Sequence, residues 1–150
     1  MSTKTEDRTT DRRTRTRGMI DQLLQERREM LALFCRVAGV EPCANDKPTE
    51  DLLQEFCRVL MDYTAFGHFE LYRRIADGFE RRVKVKAAAV DTYPRIAETT
   101  EMIVAFNDRY DPSTHALKLD NLQKDLSVLG EELAVRVELE DRVVAAMLDR

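Results

Sequence analysis

From Met19 onward, apolar residues recur at steps of three and four. Ile20, Leu23, Leu24, Arg27, Leu31, Phe34, Cys35 and Ala38 make one stripe of an amphipathic helix. Gly39 and Pro42 end it, and VEPCANDKPTED reads as a loop. Thr49 is placed to cap a second helix, with Glu50 and Asp51 in the first turn, where acids suit the helix dipole. Leu52, Leu53, Phe56, Leu60 and Met61 mark its buried side. Gly67 interrupts the pattern and predicts a break, followed by a short helix from His68 to Arg81 with Phe69, Tyr72, Ile75 and Phe79 along one side. Pro94 suits the first turn of a fourth helix that continues through Ile96, Met102, Ile103 and Phe106 towards Tyr110. YDPST is a turn with a cap, Asp111 or Ser113.

After that turn, Leu122, Leu126, Leu129, Leu133, Val137, Glu140, Val144 and Met147 run to the end of the chain. They predict a helix of about 30 residues, roughly 45 Å long, in which Gly130 is a candidate bend. No stretch alternates with the two-residue period of a strand. The predicted class is all-α: an antiparallel helical bundle with short loops and a long C-terminal helix. The tetrapeptide FCRV occurs at Phe34–Val37 and Phe56–Val59 with unrelated flanks and reads as coincidence.

Composition narrows the class. The 150 residues are 35% charged and 43% hydrophobic with five Gly and four Pro, which suits one soluble helical domain. No apolar run approaches the ~20 residues of a membrane span, and the N-terminal MSTKTEDRTTDRRTRTRG lacks the apolar core of a secretory signal, so a cytoplasmic location is expected. Charge is unevenly placed: residues 1–18 carry +3 and residues 19–150 carry −7. The expected organisation is therefore a flexible basic leader, 1–18, before a single acidic helical domain, 19–150. Such a body attracts basic partners and repels nucleic acid.

The chemistry of sites finds little purchase. Cys35, Cys43 and Cys57 show no C-x-x-C spacing, and Cys35 and Cys57, on helical patterns, read as small core hydrophobes. Ala65 and Pro112 stand three residues before His68 and His115, so the Glu-x-x-His pairs of a di-iron bundle are absent, as is any Gly-rich phosphate loop. Asp62 and His68 could form an acid–base pair, but nothing would prepare an oxyanion hole beside them. The basic stretch YRRIADGFERRVKVK reads as a solvated face paired across to the acidic last helix rather than as a reader of nucleic acid. No catalysis, cofactor, metal or sequence-specific nucleic acid is expected.

What remains is a group of aromatic and acidic residues around Gly67, suited to holding a partner. An aspartate on the apolar side of a helix, as Asp62 is read here, costs free energy unless paired or exposed for use. The segment DYTAFGHFELYRRI resembles the signature D-Y-x-S-A-G-H-F-x-x-Y of the Rsd/AlgQ family, the anti-sigma regulators of bacterial RNA polymerase. MIDQLLQERREMLALFCRVAGVEP looks like that family's first helix, LLQEFCRVLMDY like the approach to its signature, and LGEELAVRVELEDRVVAAML like its C-terminal helix. The resemblance spans residues 19–150 and leaves the leader outside.

It implies a helical bundle that binds region four of the primary sigma factor, the part that reads the −35 promoter element and docks on core polymerase. The partner-binding residues it implies are Asp21, Asp62, Tyr63, His68, Tyr72, Glu140 and Asp141. Phe69 and Tyr72 are expected to fix the junction in the core, and Asp62 and His68 to form a polar pair at the partner face. Two departures stand out: Ala65-Phe66 replaces the usual Ser-Ala, and Gln22-Leu23 replaces a common Arg-Trp. A helical adaptor for some other regulatory protein, and an enzyme or metal protein built on Asp62 and His68, are the rival readings.

Overall fold

The computed structural model describes residues 2–39, 49–78, 80–113 and 116–148, with the backbone alone over 2–10. The loop at 40–48 with Cys43, Phe79 and His115 lie outside the described residues. Among the described residues there are four long helices: α1 (Ser2–Ala38), α2 (Thr49–Phe66), α3 (Val83–Arg109) and α4 (Leu122–Leu148). Contacts along their lengths fix the directions. Phe34 of α1 meets Phe56 of α2 with ring centroids 5.9 Å apart, while Leu23 of α1 reaches Gly67 at the other end of α2. Arg82, just before α3, meets the carbonyl of Met147; Arg95 meets Glu132; and Arg109 and Tyr110 meet Asp125. Each neighbour is antiparallel to the next, giving an up-down-up-down bundle in which α4 returns to pack on α1.

Several expected boundaries move. Gly67 does not break its helix. The backbone continues from α2 into a π-helical segment, Gly67–Arg73, and then a last α turn, Arg74–Ala76. Gly78, at φ +86°, ends this element where a left-handed residue is needed. The fourth helix starts at Val83, so Pro94 lies in its interior rather than its first turn. Its ring is exposed, and the amide it lacks leaves the Val90 carbonyl on the outer face, where water can serve it. The last helix is 27 residues and unbroken at Gly130. That glycine makes room instead: a Cβ there would come within 2.9 Å of the Phe34 ring.

At the N-terminus, α1 begins at Ser2, so the segment expected to be a flexible leader is a helical extension. From Asp11 to Gly18 its side chains are exposed apart from the half-buried Thr16; the first buried residues are Met19 and Ile20. The core has two tiers. One end holds an aromatic ladder, Phe34–Phe56–Phe106–Tyr110, whose successive ring centroids are 5.9, 6.1 and 4.8 Å apart. Cys57 beside it is buried, and burial pushes its thiol up to about 12, as expected of an inert core cysteine. Towards the other end the apolar layers give way to charge.

Candidate partner-binding site

The centre of this second tier is Glu140 of α4, with no exposed surface. Tyr63 of α2 donates its hydroxyl to Glu140 Oε1. Arg27 of α1 donates to the same oxygen at 3.3 Å and to Asp141 Oδ1 at 2.8 Å. Arg136, one turn earlier on α4, is the largest fully buried side chain; its Nε lies 3.7 Å from Glu140 Oε2. Its Nη1 donates to the hydroxyls of Thr99 at 3.0 Å and Thr100 at 2.9 Å on α3. Both threonines spend their own protons on the Ile96 carbonyl, so their lone pairs are free to accept. The Arg136 guanidinium also lies 5.7 Å from the centre of the Tyr63 ring. α1, α2 and α4 thus meet at one carboxylate, and α3 joins them through Arg136. Burial pushes the Glu140 carboxyl upward, opposed by Arg136, Tyr63 and Arg27, and the same burial raises the Tyr63 hydroxyl.

Gly67 lies directly over this pair. A Cβ at that position would stand 3.1 Å from Glu140 Oε2 and 3.6 Å from Arg136 Nη2. The glycine therefore permits the close approach of helix and carboxylate, and it begins the π segment at the same place. π segments widen a helix by one residue and recur at functional sites. Here the widened turn is anchored inside by Tyr72, whose hydroxyl lies 3.1 Å from Thr92 Oγ1 on α3. Thr92 gives its proton to the Ala88 carbonyl at 2.8 Å, so Tyr72 is the donor. Burial raises the Tyr72 hydroxyl to about 12.

On the outside the same segment presents Phe69, 50% exposed. His68 packs edge-on against it at 4.9 Å between ring centroids, and the Arg73 guanidinium lies 5.6 Å over it. Two turns earlier Asp62 is 63% exposed and pairs only loosely with Arg58, at 3.5 Å. Across the α1–α2 seam Glu26 stands near enough to repel it: burial first, then Asp62 and Glu29, raise the Glu26 carboxyl, against a hydrogen bond from Gln22.

The expected site residues therefore divide. Asp21, Asp62 and Asp141 are exposed and His68 is half-buried, all within reach of a partner. Tyr63, Tyr72 and Glu140 are buried, with the two tyrosine hydroxyls and Glu140 Oε1 engaged within the bundle. Phe69, expected in the core, is outside because the helix runs on through Gly67, and two residues past that buried glycine is about half a turn around. Asp62, read on the apolar side, faces solvent, and its charged neighbour is Arg58; no hydrogen bond or ion pair joins it to His68. Of the two residues at the common Arg-Trp position, Gln22 is exposed and Leu23 is fully buried against Gly67, so the second departure alters the core. The basic stretch around Arg74 pairs locally in part, Arg73 with Asp77 and Arg74 with Glu70, while Arg82 joins Glu80 and a carbonyl of α4.

Sequence reasoning missed Arg136. A step of three from Leu133 lands on it, but the stripe was continued by four to the apolar Val137. Arg27 and Glu140 carried a usable signal: charged residues at stripe positions.

Residues 1–148 match the family model described as Regulator of RNA polymerase sigma(70) subunit, Rsd/AlgQ, so the N-terminal basic segment lies inside the match rather than beyond it. The chain is similar to a Regulator of sigma D from Yersinia enterocolitica, 36% identical over 135 residues that cover 84% of this chain and 78% of that protein. It is also similar to one from Shigella boydii, 32% identical over 149 residues, covering 95% and 92%. No solved structure matches the chain. Among the described residues, no helix is long and apolar enough to cross a membrane.

Proposed function

The chain belongs to the Rsd/AlgQ family of regulators of the RNA polymerase sigma(70) subunit, and from that membership we propose that it binds region four of the primary sigma factor through the face formed by α1, α2 and the π segment. The observation that carries this reading is the exposed Phe69, two turns on from Asp62, which forms an acidic seam with Glu26. Region four, as the resemblance implies, reads promoter DNA and must be basic to do so. An acidic seam attracts such a surface, and an aromatic held upright by His68 and Arg73 supplies a preorganised anchor. Asp21 and Asp141 extend the acidic character along α1 and α4.

Occupying region four would deny it to core polymerase and to the −35 element. That is competition for a surface, requiring no bond-making step and no cofactor, inside the cell where the polymerase works. The test is calorimetric titration with an isolated region-four polypeptide. Asp62→Ala is expected to weaken binding at least tenfold while thermal unfolding stays within about 0.5 kcal/mol of the parent, since Asp62 and its Arg58 pair are surface groups. Loss of stability with intact binding would refute the assignment.

A further inference from the structure

α3 carries two heptad stripes. The inner one, Val85, Ala89, Thr92, Ile96, Thr99, Ile103 and Phe106, is buried in the bundle. Two residues before each of these lies an outer position, rotated by about 200° at 3.6 residues per turn, on the opposite side of the helix. Those outer positions read Val83, Ala87, Val90, Pro94 and Ala97, then Val104, with Glu101 the single interruption. Ala97 is half-buried and the rest are exposed, Val83 at 78% and Val90 at 75%. Tyr93 and Met102 add apolar surface at its margins. An alternating three–four spacing is the pattern of a helix–helix seam, whereas an outward face of a surface helix is ordinarily polar. The seam extends over 21 residue steps, or about 32 Å.

The charges beside the stripe say what covers it. Residues 81–86 carry Arg81, Arg82, Lys84 and Lys86 and no acid, with Arg82 engaged by Glu80 and the Met147 carbonyl. Residues 87–108 carry Asp91, Glu98, Glu101 and Asp108 against a lone Arg95, which is engaged by Glu132 and Glu98. Lys84 and Lys86 stand in the first turn of α3, where the helix dipole favours acids. This order gains nothing within the helix. It becomes attractive when a second α3 lies antiparallel to it, basic end against acidic end, which is the arrangement a two-fold axis produces.

We propose that the outer face of α3 is a self-association surface, on which two copies of this chain pair antiparallel about a two-fold axis near Pro94. The shallow groove between Val83, Ala87 and Val90, rimmed by Lys86 and Asp91, receives the C-terminal half of the partner copy's stripe. The surface uses none of the residues assigned to the sigma-binding face.

The test is sedimentation equilibrium of the full chain over a concentration series reaching hundreds of micromolar, at low and high salt. A concentration-dependent dimer, weakened by salt, is expected. Val90→Asp should remain monomeric throughout with unchanged helical circular dichroism. The double variant Lys84→Glu/Lys86→Glu should self-associate at least tenfold more weakly, and mixing it with Glu98→Lys/Glu101→Lys should recover a heterodimer. A wild-type chain that stays monomeric across the series overturns the proposal. So does a Val90→Asp variant that dimerises like the parent, or a charge-swapped pair that does not recover association.

Discussion

Glu140 shows how one buried carboxylate can order its surroundings. Tyr63 and Arg27 hold Oε1, and Arg136 lies beside Oε2 while being tied to Thr99 and Thr100. Glu140→Ala would leave two guanidinium groups facing each other without their shared counter-ion. Removing one partner from a buried pair typically costs about 3–5 kcal/mol, and urea denaturation should register a loss of that order. Gly67→Ala probes the same contact from the other side. Alanine ordinarily gains about 1 kcal/mol over glycine in a helix interior. Here the methyl meets Glu140 Oε2 at 3.1 Å, on a carboxylate whose other oxygen is held by Tyr63 and Arg27, and overpacking costs about 1–3 kcal/mol. The substitution should therefore destabilise by roughly 1 kcal/mol. A stabilised Gly67→Ala protein would mean that Glu140 is free to give way.

At the scale of elements, the apolar stripes were legible: the α2 stripe and most of the α4 stripe lie in the core as the spacing predicts. What spacing could not convey was continuity through Gly67. A glycine in a helical pattern reads as a break, and only the position of Glu140, more than seventy residues away, explains why it is a close approach within one widened helix. Pro94 misled in the same way: on the outer side of α3 water can serve the carbonyl it leaves unpaired, and the packing of the inner stripe holds the helix through it. Phe69 and Asp62 were mistaken in the same sense: both were read as facing inward, and the phase of one helix running through Gly67 places both on the solvent side.

The junction between α3 and α4 bears on pH. The Tyr110 hydroxyl donates to Asp125 Oδ2 at 2.6 Å and Arg109 at 2.9 Å. Burial pushes the Asp125 carboxyl up, but these two donors outweigh it and hold it below its ordinary value of 3.8. A depressed native value contributes stability that is present above the ordinary value and is lost as pH falls through the native one. The stability difference between the parent and Asp125→Asn should be constant above about pH 5 and shrink in the acid limb. Paired urea midpoints at descending pH check this; a difference that widens on acidification would contradict it.

For the whole molecule, the buried polar tier and the exposed face form one construction. Residues 19–150 carry −7 and residues 1–18 carry +3, so the helical body attracts cationic partners while the N-terminal extension does not share in it. Inside, Glu140, Arg136, Tyr63 and Tyr72 lock the widened turn; outside, that turn offers Phe69, two turns on from Asp62 of the acidic seam. On this account Phe69 belongs to recognition and contributes little to folding. The decisive measurement is calorimetric titration of the isolated region four of the primary sigma factor into the parent and Phe69→Ala proteins, each with its thermal unfolding recorded. The account predicts saturable 1:1 binding by the parent, weakened by salt, and a loss of about 2 kcal/mol or more in Phe69→Ala with unfolding unchanged. A Phe69→Ala protein that binds as the parent does, or a parent that does not bind region four, would contradict it.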